Sequence, residues 1–276
     1  MASPSAARID AAEGRPHPLT AAGWARFIVR TLLLVLALLL CVPMHYIWRT
    51  LRIGSPWPKL FLGWAARICG ARVRVIGTPL HRDVFFIANH VSWIDILAMG
   101  GASGTAFVAK AELATVPVVG WLSSLNRTVF VKREDKLNVA EQINSLRDAL
   151  ADNWSVTVFP EGTTTDGQSL LPFKSSMLKV LEPPPPSVLV QPVHLDYGPV
   201  AEEIGWVGVE DGRNNAMRIL ARPGSFDLIV TFLEPFCPAE YAGRKTIAAE
   251  SRRRIEDALY AALGKPLRPF TLHSAP

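Results

Sequence analysis

The stretch VFFIANHVSWIDIL, Val84–Leu97, decides how this chain is read. Val84–Ala88 is a short apolar run of the kind that forms a buried strand. Asn89, His90, Ser92 and Asp95 then fall within seven residues. Two arrangements suit them. In one, Ser92 or Asp95 caps a helix and His90 is a satisfied structural histidine. In the other, Asp95 lies on the first helical turn, meets His90 across a bend and orients the imidazole as a general base. On a straight helix five residues would leave the two side chains about 140° apart, so the second arrangement requires a turn between them.

Outward from this stretch the texture repeats. RVRVIG (Arg72–Gly77), TAFVA (Thr105–Ala109), TVFVK (Thr128–Lys132), SVTVFP (Ser155–Pro160), VLVQPVHL (Val188–Leu195) and DLIVTFL (Asp227–Leu233) also read as strands. Asp135–Asn153 has an apolar stripe of Val139, Ile143, Leu146 and Leu150, and predicts an amphipathic helix. Lys245–Gly264 predicts another, ended by glycine. Strands alternating with helices imply an α/β domain with a mixed, mostly parallel sheet flanked by helices. In such sheets ligands sit beyond the carboxyl ends of the strands. There the chain places Asn89, His90, Ser92 and Asp95 after one strand, Lys110 and Glu112 after the next, then Lys132 and Arg133. Pro160, Glu161, Gly162 and Thr163–Thr165 follow SVTVF. This convergence of polar groups at one edge predicts a site.

The front of the chain differs. Residues 1–23 are small, polar and proline-bearing, and predict a disordered tail. From Thr31 to Trp48 there is no charged residue. As a helix those residues cover about 27 Å, close to the hydrocarbon thickness of a bilayer. Arg26 and Arg30 flank one end, Arg49 and Arg52 the other, and Trp24, Tyr46 and Trp48 suit the interface. A cleaved signal peptide would have a shorter apolar run nearer the start. Pro43 leaves both a span and a re-entrant hairpin open. Trp57, Leu60, Phe61, Trp64, Ala65 and Ile68 recur at helical spacing, giving a second apolar helix. It either touches the membrane or lies on the domain that follows. Residues 24–70 are therefore expected to form a two-helix membrane anchor, 71–264 the catalytic domain and 265–276 a C-terminal tail.

The 276 residues suit one catalytic-sized domain plus an appendage, and the formal net charge is +5. The positive charge is scattered and no basic stripe interleaved with aromatics occurs, which argues against nucleic acid. Cys41, Cys69 and Cys237 are odd in number and far apart, so neither a disulfide framework nor a zinc site is expected. The loop FPEGTTTDG (Phe159–Gly167) is rich in backbone N–H groups and hydroxyls, and reads either as an anion-holding loop or as an ordinary turn. Arg133 and Lys174 are candidates for binding phosphate.

The order of these motifs resembles the glycerolipid acyltransferases, especially the 1-acylglycerol-3-phosphate acyltransferases. NHVSWID resembles their NHxSxxD block, RTVFVKR their Gly-x-x-Phe-Ile-x-Arg block, VFPEGTTT their FPEGTRS-like block and VQPVHL their apolar-Pro-apolar strand. VAKAEL and PFKSSM also fall where that family has similar segments. The resemblance covers Arg72 to Phe236 and implies a glycerolipid acyltransferase-like domain. By it, His90 is the general base and Asp95 its orienting partner. Arg133 contacts the acceptor's phosphate. Glu161, Gly162 and Thr163 shape the acceptor site, Lys110 and Lys174 join the substrate-binding set, and Pro192 forms pocket wall. The implied reaction moves an acyl group from acyl-CoA or acyl-carrier protein to lysophosphatidic acid, giving phosphatidic acid. It uses no metal or other cofactor and takes place at the cytoplasmic face of a membrane, in a bacterium the inner one. Arg127 stands where the second block has glycine, and Thr164 where the third often has arginine. Those departures keep a lysolipid without glycerol phosphate, such as a lyso-ornithine lipid, as an alternative acceptor. A catalytically inactive membrane lipid-binding protein is the alternative from another class.

Overall fold

A computed structural model describes residues 6–15, 18–131 and 155–269. The helix expected at Asp135–Asn153, and Arg133, lie outside them. Every expected strand is present: β1 Ala71–Ile76, β2 Val84–Ala88, β3 Ala106–Lys110, β4 Val129–Val131, β5 Ser155–Val158, β6 Leu189–Asp196 and β7 Phe226–Phe232. They form one sheet in the order β1-β7-β6-β2-β5-β3-β4. Strands β6, β2, β5, β3 and β4 run parallel, while β7 is antiparallel to β6 and carries β1 parallel to itself. The sheet is thus mixed and mostly parallel. β2 lies between β5 and β6 and all five of its residues are buried, which is why its sequence is apolar without alternation.

Side chains alternate between two cores. Val84, Phe86 and Ala88 of β2 face one side, against Ile94 and Met99 of α4 (Ile94–Ser103) and Ile219 of α6 (Gly212–Ala221). Phe85 and Ile87 face the other, against Leu178 and against Ile255 and Leu259 of α7 (Arg244–Leu263). Between β3 and β4 lies the short α5 (Val119–Leu125).

The front of the chain packs against the first of these cores. α2 (Ala21–Thr50) starts at Thr20, whose Oγ1 accepts from Gly23 N at 3.1 Å. At thirty residues it is about 45 Å long. Among the described residues it is the one helix long and apolar enough to cross a membrane. It does not stand free of the domain. Gly23, Ala37 and Cys41 are buried, and Phe27 and Leu34 pack on the first core, at spacings of three, four and seven that define one stripe. The opposite face, including Ile28, Leu32, Leu36 and Leu39, is exposed. Arg26 and Arg30, expected only to flank a membrane segment, reach the carboxyl end of α6. Arg26 Nε donates to Ala221 O at 2.7 Å, and Arg30 donates to the carbonyls of Ile219, Leu220, Arg222 and Gly224. They satisfy acceptors that the last helical turn leaves unpaired.

α3 (Trp57–Ile68) has twelve residues, too few to span a membrane, and answers the open question about its partner. Its Ala65 and Ala66 are buried, and Gly63 crosses Gly101 of α4 so closely that a Cβ on Gly101 would lie 2.6 Å from Gly63 Cα. Leu60 and Trp64 remain exposed on its outer side. Among the described residues one helix, α2, is thus long and apolar enough to cross a membrane, and α3 packs on α4 while turning Leu60 and Trp64 outward. The expected disordered tail also differs. Ala6–Ala12 forms a short helix, α1, with Ala11 and Arg8 buried. Arg8 Nε donates to Glu202 O at 2.7 Å, and Val209 N donates to Ala12 O.

Candidate active site

The parallel direction of β2, β3, β4 and β5 brings their carboxyl ends to one edge, as the sequence predicts. β2 and β5 are neighbours, so the turn after Ala88 and the loop after Val158 meet although 71 residues separate His90 from Glu161. The turn is held from both sides. Toward β6, Asn89 replaces strand pairing: its Nδ2 donates to Leu195 O at 3.0 Å and its Oδ1 accepts from Leu195 N at 2.8 Å. Toward β5, His90 N donates to Glu161 Oε1 at 2.8 Å, and His90 O accepts from Thr165 N at 2.8 Å.

This bend lets His90 and Asp95 meet. His90 Nδ1 lies 2.8 Å from Asp95 Oδ2. The same oxygen accepts from Val91 N at 2.7 Å and Ser92 N at 3.0 Å. The other, Oδ1, accepts from the Tyr197 hydroxyl. Asp95 is buried. Burial, and then the negative charge of Asp95, push the Tyr197 phenol well above its ordinary range, so it stays a donor. A carboxylate accepts only, which assigns the Nδ1 proton to His90 and leaves Nε2 with a lone pair. Among the described residues Nε2 has no hydrogen-bond partner, and the His90 side chain keeps 18% of its surface open. The ring stacks on Phe159, centroids 4.2 Å apart at 18°, with Phe107 stacked behind Phe159. An imidazole flanked by an aromatic plane and anchored at Nδ1 has little freedom to turn.

The FPEGTTT loop divides its labour. Glu161 is buried, and both its oxygens are occupied by backbone donors, His90 N and Leu171 N at 2.9 Å. Burial pushes its carboxyl up to about 8, against the pull of those two N–H groups. It therefore holds the turn that carries His90 in place through backbone donors. Gly162 takes φ 75°, which lets the chain reverse after it. Thr163 is exposed at the rim. Thr164 Oγ1 donates to Trp206 O, and Thr165 holds His90 O. Trp206 N in turn donates to Val91 O at 3.0 Å, so the segment after β6 closes over the turn.

Of the remaining candidates, Lys110 ends β3, two strands from β2. Lys174 is exposed, and its N–H donates to Pro160 O at 2.9 Å, placing it beside the loop after β5. Pro192 lies opposite Ile87 within the sheet and is buried. Arg127, which replaces the glycine of the second block, takes φ 55°, a conformation glycine adopts without strain. Sequence reasoning missed Tyr197 and Phe159. Nothing in their spacing from His90 marks them, since one directly follows β6 and the other directly follows β5.

The Acyltransferase family profile matches residues 72–196. A lyso-ornithine lipid O-acyltransferase of Rhizobium meliloti is 32% identical over 256 residues, covering 86% of this chain and 86% of that protein. A 1-acyl-sn-glycerol-3-phosphate acyltransferase of Neisseria gonorrhoeae is 35% identical over 102 residues, 37% of this chain and 40% of that protein. In fold, the chain resembles the 1-acyl-sn-glycerophosphate acyltransferase PlsC of Thermotoga maritima, with TM-score 0.59 and 21% identity, over 87% of this chain and 98% of that one.

Proposed function

The chain belongs to the glycerolipid acyltransferase family, and from that premise we propose that it acylates the free hydroxyl of a lysolipid with His90 as general base. The observation that carries this reading is the contact between His90 Nδ1 and Asp95, which leaves Nε2 open. Nε2 takes the proton of the acceptor hydroxyl as its oxygen bonds to the thioester carbonyl carbon of acyl-CoA or acyl-carrier protein. Asp95 stabilises the imidazolium. The carbon–sulfur bond breaks, and the proton passes from Nε2 to the departing thiolate. General-base help of this kind is worth on the order of 10²–10⁴ in rate.

The acceptor we favour is a lyso-ornithine lipid. The relative of that name aligns along most of the chain, whereas the glycerol-phosphate relative aligns along little over a third of it. The loop residue Thr164, standing where a phosphate-binding arginine is common, spends its hydroxyl on a backbone carbonyl. Lysophosphatidic acid is the second reading, with Arg133 on its phosphate. Lys110 and Lys174 are assigned to anionic parts of either substrate. The outward apolar face of α2 supports a placement with that helix lying in one leaflet, the domain at the cytoplasmic surface where acyl thioesters are found. Thiol release from acyl-CoA and acyl-carrier protein, measured with lyso-ornithine lipid, lysophosphatidic acid or no acceptor, tests the proposal. Release that depends on lyso-ornithine lipid is expected. Preference for lysophosphatidic acid would reassign the acceptor alone. No release with any lysolipid would favour an inactive lipid-binding protein.

A further inference from the structure

We propose that Val116–Trp121, between β3 and β4, is a second membrane-contacting element, a spur whose partner is the acyl-chain region of the bilayer. The proposal rests on the reading of α2 as a membrane helix and extends it to the catalytic domain itself. Ala114 through Val119 are all exposed, and so is Trp121. From Leu113 to Asn126 the chain has no charged residue. Exposed apolar side chains scattered singly need no explanation, but a continuous run of them does.

The backbone presents these side chains at a strained tip. Val118 takes φ 67° and ψ −52°, with Val119 N bonded back to Pro117 O at 2.7 Å. This is the rare form of the γ-turn, and a β-branched residue there is a strong outlier. Gly120 lets the loop double back, because a Cβ at that position would lie 2.2 Å from Ala114 O. Glycine would also relax the tip, yet the tip carries a valine that is 56% exposed. Packing within the domain does not use that side chain. Partition into hydrocarbon would, and Trp121 suits the interfacial layer beside it.

The spur's position favours lipid over a protein partner. It leaves the carboxyl end of β3, on the same edge of the sheet as His90 and Glu161. Arg127, just past α5, lies close enough to His45 of α2 to act on its charge. Around His45 the exposed side chains are apolar, Tyr46, Ile47, Leu51 and Ile53, with the cations Arg49 and Arg52 among them, the mixture found at a membrane interface. The exit of the spur's helix thus lies near the carboxyl-terminal end of the membrane helix. A second contact there would hold the mouth of the site against the bilayer.

Fluorescence from single labels tests this. In the full chain carrying Cys237→Ser, Val118→Cys, Leu36→Cys and Lys265→Cys are each labelled with an environment-sensitive nitrobenzoxadiazole. The proteins are then bound to phosphatidylethanolamine–phosphatidylglycerol vesicles with or without a nitroxide on the lipid acyl chain. Labels at 118 and 36 should lose about half their emission to the nitroxide, and the label at 265 none. Quenching at 36 but not at 118 would overturn the spur and leave the membrane reading of α2 standing. The spur falls in that case even if the label at 118 shifts to the blue, which would instead indicate a protein contact. Quenching at neither would overturn both. Trp121→Cys repeats the test should substitution at the strained position 118 impair folding.

Discussion

Asp95 receives four hydrogen bonds, and three of them serve to aim the fourth. Val91 N, Ser92 N and the Tyr197 hydroxyl fix the carboxylate, which then holds His90 Nδ1. Tyr197 also withdraws charge from Asp95. Tyr197→Phe should therefore lower kcat by about tenfold and move the acid limb of the pH–rate profile to higher pH, because the freed carboxylate stabilises the imidazolium more. A merely structural tyrosine would lower stability without moving that limb. His90 and Asp95 were legible because they lie five residues apart at the end of an apolar run. Tyr197 was not, because its partner is 102 residues away and a buried aromatic after a strand looks like core. Glu161 was legible as a site residue but not in its task, since the backbone N–H groups it accepts leave no trace in a side-chain pattern.

At the scale of elements, the strands were readable from short β-branched and aromatic runs, and the sheet's mixed character from their alternation with helices. The order of strands was not, and that order sets β5 beside β2 and so Glu161 beside His90. α1 escaped notice because seven residues, four of them alanine, carry no period; it is held by Arg8 and Ala12, which bond to the segment after β6. The apolar stripe of α3 was visible, yet sequence alone left lipid and protein both open as its partner. The glycines resolve this, since Gly63 and Gly101 let two helix backbones touch. Gly101→Ala should force α3 away from α4 and cost about 1–3 kcal/mol, read as a lower melting temperature. An unchanged melting temperature would mean that the two helices are not so closely apposed.

Among the described residues, Glu161 and His194 are buried groups whose effects on stability oppose each other. Glu161 is held up to about 8 from an ordinary 4.5, so the folded chain keeps a proton that the unfolded chain loses. Its contribution to stability falls as the pH rises from about 4.5 to about 8. Burial holds His194 down to about 4 from 6.5, so its contribution falls as the pH drops from 6.5 toward 4. Between 6.5 and about 8 only Glu161 of the pair still titrates, and the melting temperature should decline across that interval. Glu161→Gln should flatten the decline; a slope that survives the substitution would assign it to other groups. The same residue joins stability to chemistry, because its carboxyl group holds the backbone of the proposed base. Everything proposed for the fold, the anchor and the site converges on whether His90 takes the acceptor's proton. The most direct test is the rate of thiol release from acyl-CoA with saturating lysolipid, compared between the native chain and His90→Ala of unchanged melting temperature. A loss of about 10²–10⁴-fold is predicted. A His90→Ala enzyme that releases thiol at the native rate would contradict the assignment of His90 as the base.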